Sequence, residues 1–464
     1  MRANTADAAL RRRAAAVIPG GMYGHESTAL LPADFPQFFA RAKGARLWDV
    51  DGNGYIDLMC AYGPNLLGYG DAEIDAAYIA QLEAGDSMTG PSALIVELAE
   101  QFTRQVTHAQ WAMFCKNGTD ATSMAVSVAR AHTRRRKVLV AAGAYHGADA
   151  WCTPVPAGTL PEDRAHLLTF EYNDTASLQA AAKAAEGDLA GVLVSPFRHD
   201  GFVDQALPTR EFAQAVREVC DRGKGLLLMD EVRGGFRLSR TGSWSHLGVE
   251  PDLSAWGKCL ANGHALSALL GSDVARDAAA RVYATGSYWF AAAPMAAALV
   301  TLQRIRDTDY LEQTQRTGTL LREGLARASA ASGYVLRQTG PVQMPQLLLD
   351  DDVDFRRGFA FASEMIGRGV YVHPWHNNFV CAALTEADVA TVVAAATESY
   401  AAVRQREGTL VPHPRLAAMF AACPGTAIRR EAGGAPLPPL SFHHSGCYEL
   451  ALKQYASAPS STDR

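Results

Sequence analysis

Lys258 carries the one formal charge in LSAWGKCLANGHALSALLG, the stretch from Leu253 to Gly271. An ammonium taken out of water holds its proton less tightly, so a lysine in apolar surroundings becomes a neutral amine closer to neutral pH. A neutral amine can condense with a carbonyl, which is the chemistry of Schiff-base lysines. A lysine that lays its stem on apolar surface and keeps its head in water gives the same pattern. The rest of the chain has to decide between them.

Three further stretches hold groups that would complete a site. In CKNGTDATSMAVSVAR (115–130) a small polar turn runs straight into a segment with helical spacing. The start of a helix presents free N–H groups and a positive dipole end, so Asn117, Gly118 and Thr119 could cradle a phosphate or simply cap the helix. AYHG (144–147) follows the apolar run KVLVAA and puts Tyr145 at a strand end, where its ring could stack on a planar ligand or serve the fold. LLLMDEVRGGFR (226–237) sets Asp230 and Glu231 directly after four apolar residues. A buried carboxylate needs a cation: a protonated pyridine nitrogen, or a salt bridge to Arg233 or Arg237. A phosphate nest, a stacking ring, an acid for a pyridinium and a lysine for an aldehyde are the parts that pyridoxal phosphate requires.

These residues need a frame that gathers strand ends. KVLVAAG (137–143), AGVLVSP (190–196) and GLLLMDEV (225–232) are short apolar runs, separated by helical patterns such as TREFAQAVREVCDRGKG (209–225). Alternation of this kind predicts an α/β fold with a parallel sheet covered on both faces, whose ligands bind beyond the C-terminal strand ends. A long helical stretch is expected around 294–330. Beyond it GPVQMPQLLLDDD (340–352), a helix near 355–367, GVYVHPWHNNFVCAAL (369–384) and a helix begun at Thr385 form a smaller α+β unit. At the other end, MRANTADAALRRRAAAV reads as a helix stopped by Pro19-Gly20-Gly21 and not as a secretory signal. The division expected is 1–62 as a segment joining the small domain, 63–305 as the large domain, 306–404 as the small domain and 405–464 as an extra tail, its last residues disordered.

The 464 residues carry a net charge of −5, which gives no basic footprint for nucleic acid and no polybasic patch for a membrane. No apolar run approaches the roughly 20 residues of a membrane span. Eight cysteines lie scattered without CxxC pairs, as expected of a reducing cytoplasm. His373 with His376, and His443-His444 near Cys447, have spacings that a metal could use. No further ligands gather around them, so no metal is expected.

The sequence resembles the class III, fold-type I pyridoxal-phosphate aminotransferases, closest to the glutamate-1-semialdehyde aminomutase group, over roughly residues 15–400. LWDVDGNGYIDL (47–58), YGPNLLGYGDAEI (62–74), NGTDAT (117–122), AYHG, DEVRGGFR, GVEPDLSAWGK (248–258) and MAAALVTL (295–302) carry the resemblance. It implies a large domain with a mostly parallel seven-stranded sheet flanked by helices and a smaller α+β domain. It implies that Lys258 forms the Schiff base, that Asp230 holds the pyridine nitrogen, and that Val232 and Tyr145 lie on the two ring faces. Gly118 and Thr119 would bind phosphate, and Ser287, matched with Gly286 to the family's Gly-Thr, would reach the phosphate of a neighbouring subunit. A homodimer with shared sites follows.

The departures lie around the pocket. The family's Ser-Gly-Thr-Glu is Asn117-Gly118-Thr119-Asp120, its Glu-Pro is Ser195-Pro196, and the Asn near the cofactor's phenolic oxygen is Asp200. Its His-Thr is Leu384-Thr385, and bulky Tyr288-Trp289 follow Ser287. The cofactor parts stand while the substrate parts differ. The expectation is an aminotransferase for an amine or amino acid other than glutamate semialdehyde, with Arg233, Arg237, Tyr288, Trp289 and HPWHNN (373–378) as candidate contacts. An aminomutase, a racemase, a decarboxylase or a carbon–carbon bond-forming enzyme would use the same cofactor. A non-catalytic relative would be expected to have lost Lys258, Asp230 and Tyr145.

Overall fold

The computed structural model describes residues 4–155 and 157–422, and the expectations for His443, His444, Cys447 and the last residues of the tail lie outside the described residues. The chain opens with α1 (Thr5–Val17), which ends as expected before Pro19, and continues into the antiparallel strands β1 (Phe39–Lys43), β2 (Arg46–Asp49) and β3 (Gly54–Asp57). Helices α2 (Ala72–Ala84) and α3 (Leu94–Gln105) lead to β4 (Trp111–Cys115), α4 (Gly118–Thr133), β5 (Lys137–Ala141), β6 (Leu167–Phe170), α5 (Thr175–Ala184) and β7 (Leu189–Val194). Next come α6 (Arg210–Gly223), β8 (Leu226–Asp230), β9 (Leu253–Trp256), β10 (Ser267–Gly271) and α7 (Arg276–Arg281).

These seven strands form one sheet in the order β4-β10-β9-β8-β7-β5-β6. Only β10 runs against its neighbours, so six strands end on one edge. Successive side chains of a strand point to opposite faces. Val138, Val140, Leu226 and Leu228 accordingly pack with Ala121, Met124, Ala125 and Val128 of α4. Leu139, Ala141, Leu227 and Met229 pack with Leu178 of α5 and Phe212 and Val216 of α6 on the other face. Full burial of each such aliphatic side chain contributes about 1.5–3 kcal/mol. Truncating Leu228 to alanine would cost about 2–5 kcal/mol.

The stretch expected as one helix around 294–330 is two, α8 (Ala292–Asp307) and α9 (Tyr310–Ala331). The α8 cap residue Thr308 is extended (φ −118°, ψ 167°), which turns the chain there. No proline or glycine marks that break, which is why the sequence pattern reads through it. Short strands β11 (Leu336–Arg337) and β12 (Leu348–Leu349), α10 (Arg356–Gly367), β13 (Val370–Tyr371) and α11 (Glu386–Gln405) follow, with Thr385 capping α11 through a hydrogen bond from Asp388 N. β13 pairs parallel with β3, so the N-terminal strands and the C-terminal unit share a sheet and a core. Part of the expected tail is built into that unit. Helix α12 (Pro414–Ala422) seats Leu416 against Leu348, Phe355 and Phe359.

Candidate active site

The common edge of the six strands gathers the residues singled out by the sequence. Lys258 follows β9 through Gly257 and has φ +43°, a left-handed conformation that a residue with a Cβ adopts at a cost. Its stem lies along Gly63, where an added Cβ would come within 3.3 Å of Lys258 Cδ. Burial, then the charge of Arg233, bring its ammonium down to about 8. The nitrogen is thus close to the neutral, nucleophilic form at physiological pH.

Gly63 is held there by a strained turn. Cys60, Ala61 and Tyr62 all have positive φ, and none is glycine. Such residues cost roughly 1–2 kcal/mol each in this region. Asp57, at the end of β3, compensates by accepting the N–H groups of Met59 and Cys60 at 2.7 and 2.8 Å and the hydroxyl of Tyr69 at 2.8 Å. No glycine or proline precedes Gly63 to mark this turn in the sequence.

Asp230 ends β8 and is buried. It pairs with neither arginine that the sequence offered. Its Oδ2 accepts a hydrogen bond from Nδ1 of His146 at 2.7 Å, and Oδ1 accepts the N–H of Val232 at 3.1 Å. A carboxylate can only accept, so Nδ1 donates, and Nε2 is buried with no partner among the described residues. Sequence reasoning missed His146. The signal was present, since AYHG places the histidine beside the tyrosine that was chosen. Tyr145 itself is 41% exposed at the site's edge. The neighbouring Glu231 points elsewhere: it accepts the N–H of Ser243 at 2.8 Å and its hydroxyl at 2.5 Å, and burial raises it to about 7.

Asn117 caps α4, and Asp120 Oδ2 accepts its N–H at 2.9 Å. Gly118 and Thr119, at the first two helical positions, have no carbonyl one turn back for their N–H groups. A Cβ on Gly118 would stand 2.7 Å from Val232 Cγ1, and one on Gly257 3.5 Å from the same atom. Val232 is therefore wedged between the start of α4 and the residue before Lys258. Such close backbone approach, unbonded helix N–H groups, a buried carboxylate with spare acceptor capacity and a lysine near neutrality suit pyridoxal phosphate.

The opposite wall comes from HPWHNN. Asn377 Oδ1 accepts from Arg233 Nη1 at 2.6 Å, and Asn378 Oδ1 accepts the N–H of His373 at 2.9 Å. His373 Nδ1 accepts the N–H groups of Trp375 and His376 at 3.4 and 3.1 Å, and burial lowers its pKa to about 3. Trp375 stacks on Phe202 with centroids 4.6 Å apart. Two expected substrate contacts are placed otherwise. Arg237 is fully buried, bonds to the carbonyls of Gly63 and Val380, and stacks over Phe379. Trp289 packs against the core cluster around α4, and Tyr288 is 69% exposed. Ser287 is exposed beside it. Asp200 is raised to about 6 by burial, opposed by Arg198, Arg233 and His146. Arg233 is thus one of the compensating charges that an aspartate at this position requires.

A family model described as aminotransferase class-III matches residues 32–386. The chain is 57% identical over 407 residues to the aminopentol aminotransferase of Sphingopyxis macrogoltabida, covering 88% of this chain and 96% of that protein. It is 31% identical over 414 residues to the glutamate-1-semialdehyde 2,1-aminomutase of Desulforamulus reducens, covering 83% and 95%. Among solved structures, the pyridoxal-phosphate internal aldimine form of the FumI protein of Sphingopyxis sp. MTA144 superposes with a TM-score of 0.88 at 56% identity, covering 88% of this chain and 99% of that one.

Proposed function

The chain belongs to the class-III aminotransferases, pyridoxal-phosphate enzymes of fold type I, and from that premise we propose that Lys258 is its reactive amine and that the amino donor is an amino polyol. The donor class is taken from the aminopentol aminotransferase, whose sequence is shared over nearly its whole length. The observation that carries the reading is Lys258 itself, an amine lowered to about 8 at a strand end, on the same sheet edge as the Asp230–His146 pair.

In this reading the N–H groups of Gly118 and Thr119, with Asn117, hold the phosphate, while Val232 and Tyr145 flank the ring. Asp230 keeps a proton on the ring nitrogen, and His146 holds the carboxylate in position. Bound there, pyridoxal phosphate supplies an aldehyde for the donor's amine and a ring that withdraws electrons from the adjacent C–H bond. Lys258 Nζ would bind that aldehyde and would carry the proton of the donor's amine-bearing carbon. Ser287 serves the neighbouring subunit's phosphate in a homodimer. The domain limits proposed are 1–62, 63–305 and 306–404, followed by the tail. The location proposed is cytoplasmic, supported by the six buried free cysteines among the described residues.

The test is to incubate the purified holoenzyme with aminopentol, with and without pyruvate. Carbonyl product in one equivalent without acceptor, and continuing turnover with it, is the expected result. Isomerisation that turns over without any acceptor would restore the aminomutase reading.

A further inference from the structure

Helix α12 lies beyond residue 386, where the class-III match ends, and the site described above makes no use of it. It is nonetheless connected to the cleft. Leu416, fully buried, shares an apolar cluster with Leu348, Phe355 and Phe359, and Phe202 and Trp375 pack against the same cluster. The rings of Phe355 and Phe202 meet edge to face with centroids 5.3 Å apart, and Phe202 lies flat on Trp375. Phe202 and Phe355 have φ of +68° and +61°. Residues with a Cβ adopt that region at a cost and keep it only where their surroundings hold them. Leu416 is part of those surroundings. On the cleft side Trp375 is the hub. Its carbonyl accepts the N–H of Phe202 and Nε2 of Gln346, both at 2.9 Å, and its Nε1 donates to the carbonyl of Leu30 at 2.9 Å. Helix α12 also touches the turn Thr28–Leu30 itself. From Trp375 the contacts run on to the lysine. Tyr62 stands edge-on to His373 and His376. The next residue, Gly63, lies between Phe379 and Lys258, since a Cβ there would be 3.0 Å from the phenyl ring and 3.3 Å from Lys258 Cδ.

We propose that α12 braces the donor side of the cleft. Leu416 is a positioning residue that, through Phe355 and Phe202, fixes Trp375 and with it the HPWHNN wall and the loop 24–30. A protein interior is packed as densely as an organic crystal, so a ring that loses its support shifts and its neighbours shift with it. The tight seat of Trp375 makes it a good relay, because a Cβ on Gly201 would come within 3.2 Å of its indole. The donor proposed above must bring its amine-bearing carbon to Lys258 at the sheet edge, and the rest of that polyol then extends toward the facing wall. A small acceptor such as pyruvate has nothing that reaches so far. One wall therefore governs the donor and leaves the acceptor alone. The inference rests on the amino-polyol reading of the donor.

Two measurements on the full-length holoenzyme separate the brace from the donor reading. Amide hydrogen exchange needs no substrate. Leu416→Ala should speed exchange in residues 24–30 and 373–378 by about tenfold or more, and leave 115–122 and 226–232 within about twofold. Steady-state turnover of aminopentol with pyruvate is the second. The same variant should raise the KM of aminopentol by about threefold to tenfold, well inside the roughly 100-fold that a 1 Å misplacement can cost. The KM of pyruvate and kcat should stay within about twofold. Leu416→Met refills the seat with a side chain of similar volume and should return both readouts to wild type. Trp375→Phe should raise the same KM, and adding Leu416→Ala to it should raise it little further, because the two residues act along one path. Leu416→Val, a smaller truncation, carries the same tests should the alanine variant not fold. Unchanged exchange in both stretches, or exchange that speeds equally across the whole chain, would overturn the proposal. So would KM values of both substrates that rise together. A wild-type enzyme inert to aminopentol would sink the donor reading alone, and the exchange result would still decide the brace.

Discussion

The two walls of the site differ in how their polar groups are satisfied. On the sheet side, Asp230, His146 and the start of α4 sit at strand or helix ends and are fixed by a few hydrogen bonds, two of them within three residues and one, from His146 to Asp230, joining the ends of β5 and β8. On the HPWHNN side, Asn377, Asn378, His373 and Trp375 are held by a mesh that spans distant parts of the chain, from Leu30 to Phe202 and Arg233. The first wall carries Lys258, Asp230, Gly118 and Thr119, and it also carries the substitutions at Asn117, Asp120, Ser195 and Asp200. A sheet edge can keep its principal groups while the residues between them change.

The sharpest way to break this comparison is at Lys258. Lys258→Ala should abolish steady-state turnover, by about 10⁴-fold or more, which is over ~5 kcal/mol of barrier. It should still retain cofactor through the phosphate and ring contacts, as seen by absorption after gel filtration. Turnover near wild type would remove the lysine from the chemistry. Asp230→Asn keeps the shape but cannot hold a pyridinium proton. It should slow the amine half-reaction by about 10³-fold, or ~4 kcal/mol, with an unchanged melting temperature. A loss under about tenfold, ~1.4 kcal/mol, would mean that another group supplies that proton.

The pH dependence tests the same wall without mutation. The folded-state value of Lys258 is depressed from 10.5 to about 8, so the neutral amine predominates above about 8 and is lost as pH falls through it. The rate at which apoenzyme captures pyridoxal phosphate should therefore fall about tenfold per pH unit below that midpoint. A flat profile between pH 6 and about 9 would show that the lysine is not the titrating nucleophile. The smallest effect should come from Tyr62, whose ring stands edge-on to His373 and His376 of the facing wall and whose hydroxyl donates to the carbonyl of His25 at 2.7 Å. Tyr62→Phe should alter turnover by no more than about threefold, the loss of one neutral hydrogen bond, and chiefly through the donor's KM.

Much of the sheet wall was legible because its residues sit where simple patterns end. Lys258, Asp230 and Asn117 each follow or precede an uninterrupted apolar or helical run, and the structure brings all three to one edge. His146 was hidden by its neighbour, since the tyrosine at a strand end drew the eye while the histidine filled the interior. Arg237 misled in the opposite direction. A charged residue in a motif reads as a ligand contact, yet its bonds go to the carbonyls of Gly63 and Val380, which only the folded path brings near. Trp289 misled in the same way, being drawn into the core beside α4. The strained turn at Cys60 to Tyr62 is marked in the sequence only at its end, by Gly63-Pro64, because hydrogen bonds to Asp57 rather than local propensity hold its three positive-φ residues.

Val232 ties the start of α4 to the segment after β8. An added methyl group at Gly118 would press on the valine at 2.7 Å, whereas one at Gly257 would meet Ser267 Oγ at 2.6 Å and only touch Val232, at 3.5 Å. A larger residue at 118 therefore calls for a smaller one at 232, and the energetic effects of substitutions at these two positions will not sum as those of distant sites do. Asn377, hydrogen-bonded to Arg233 beside that valine, joins the facing loop to the same stretch of chain, so a change in size on one side of the cleft is felt on the other.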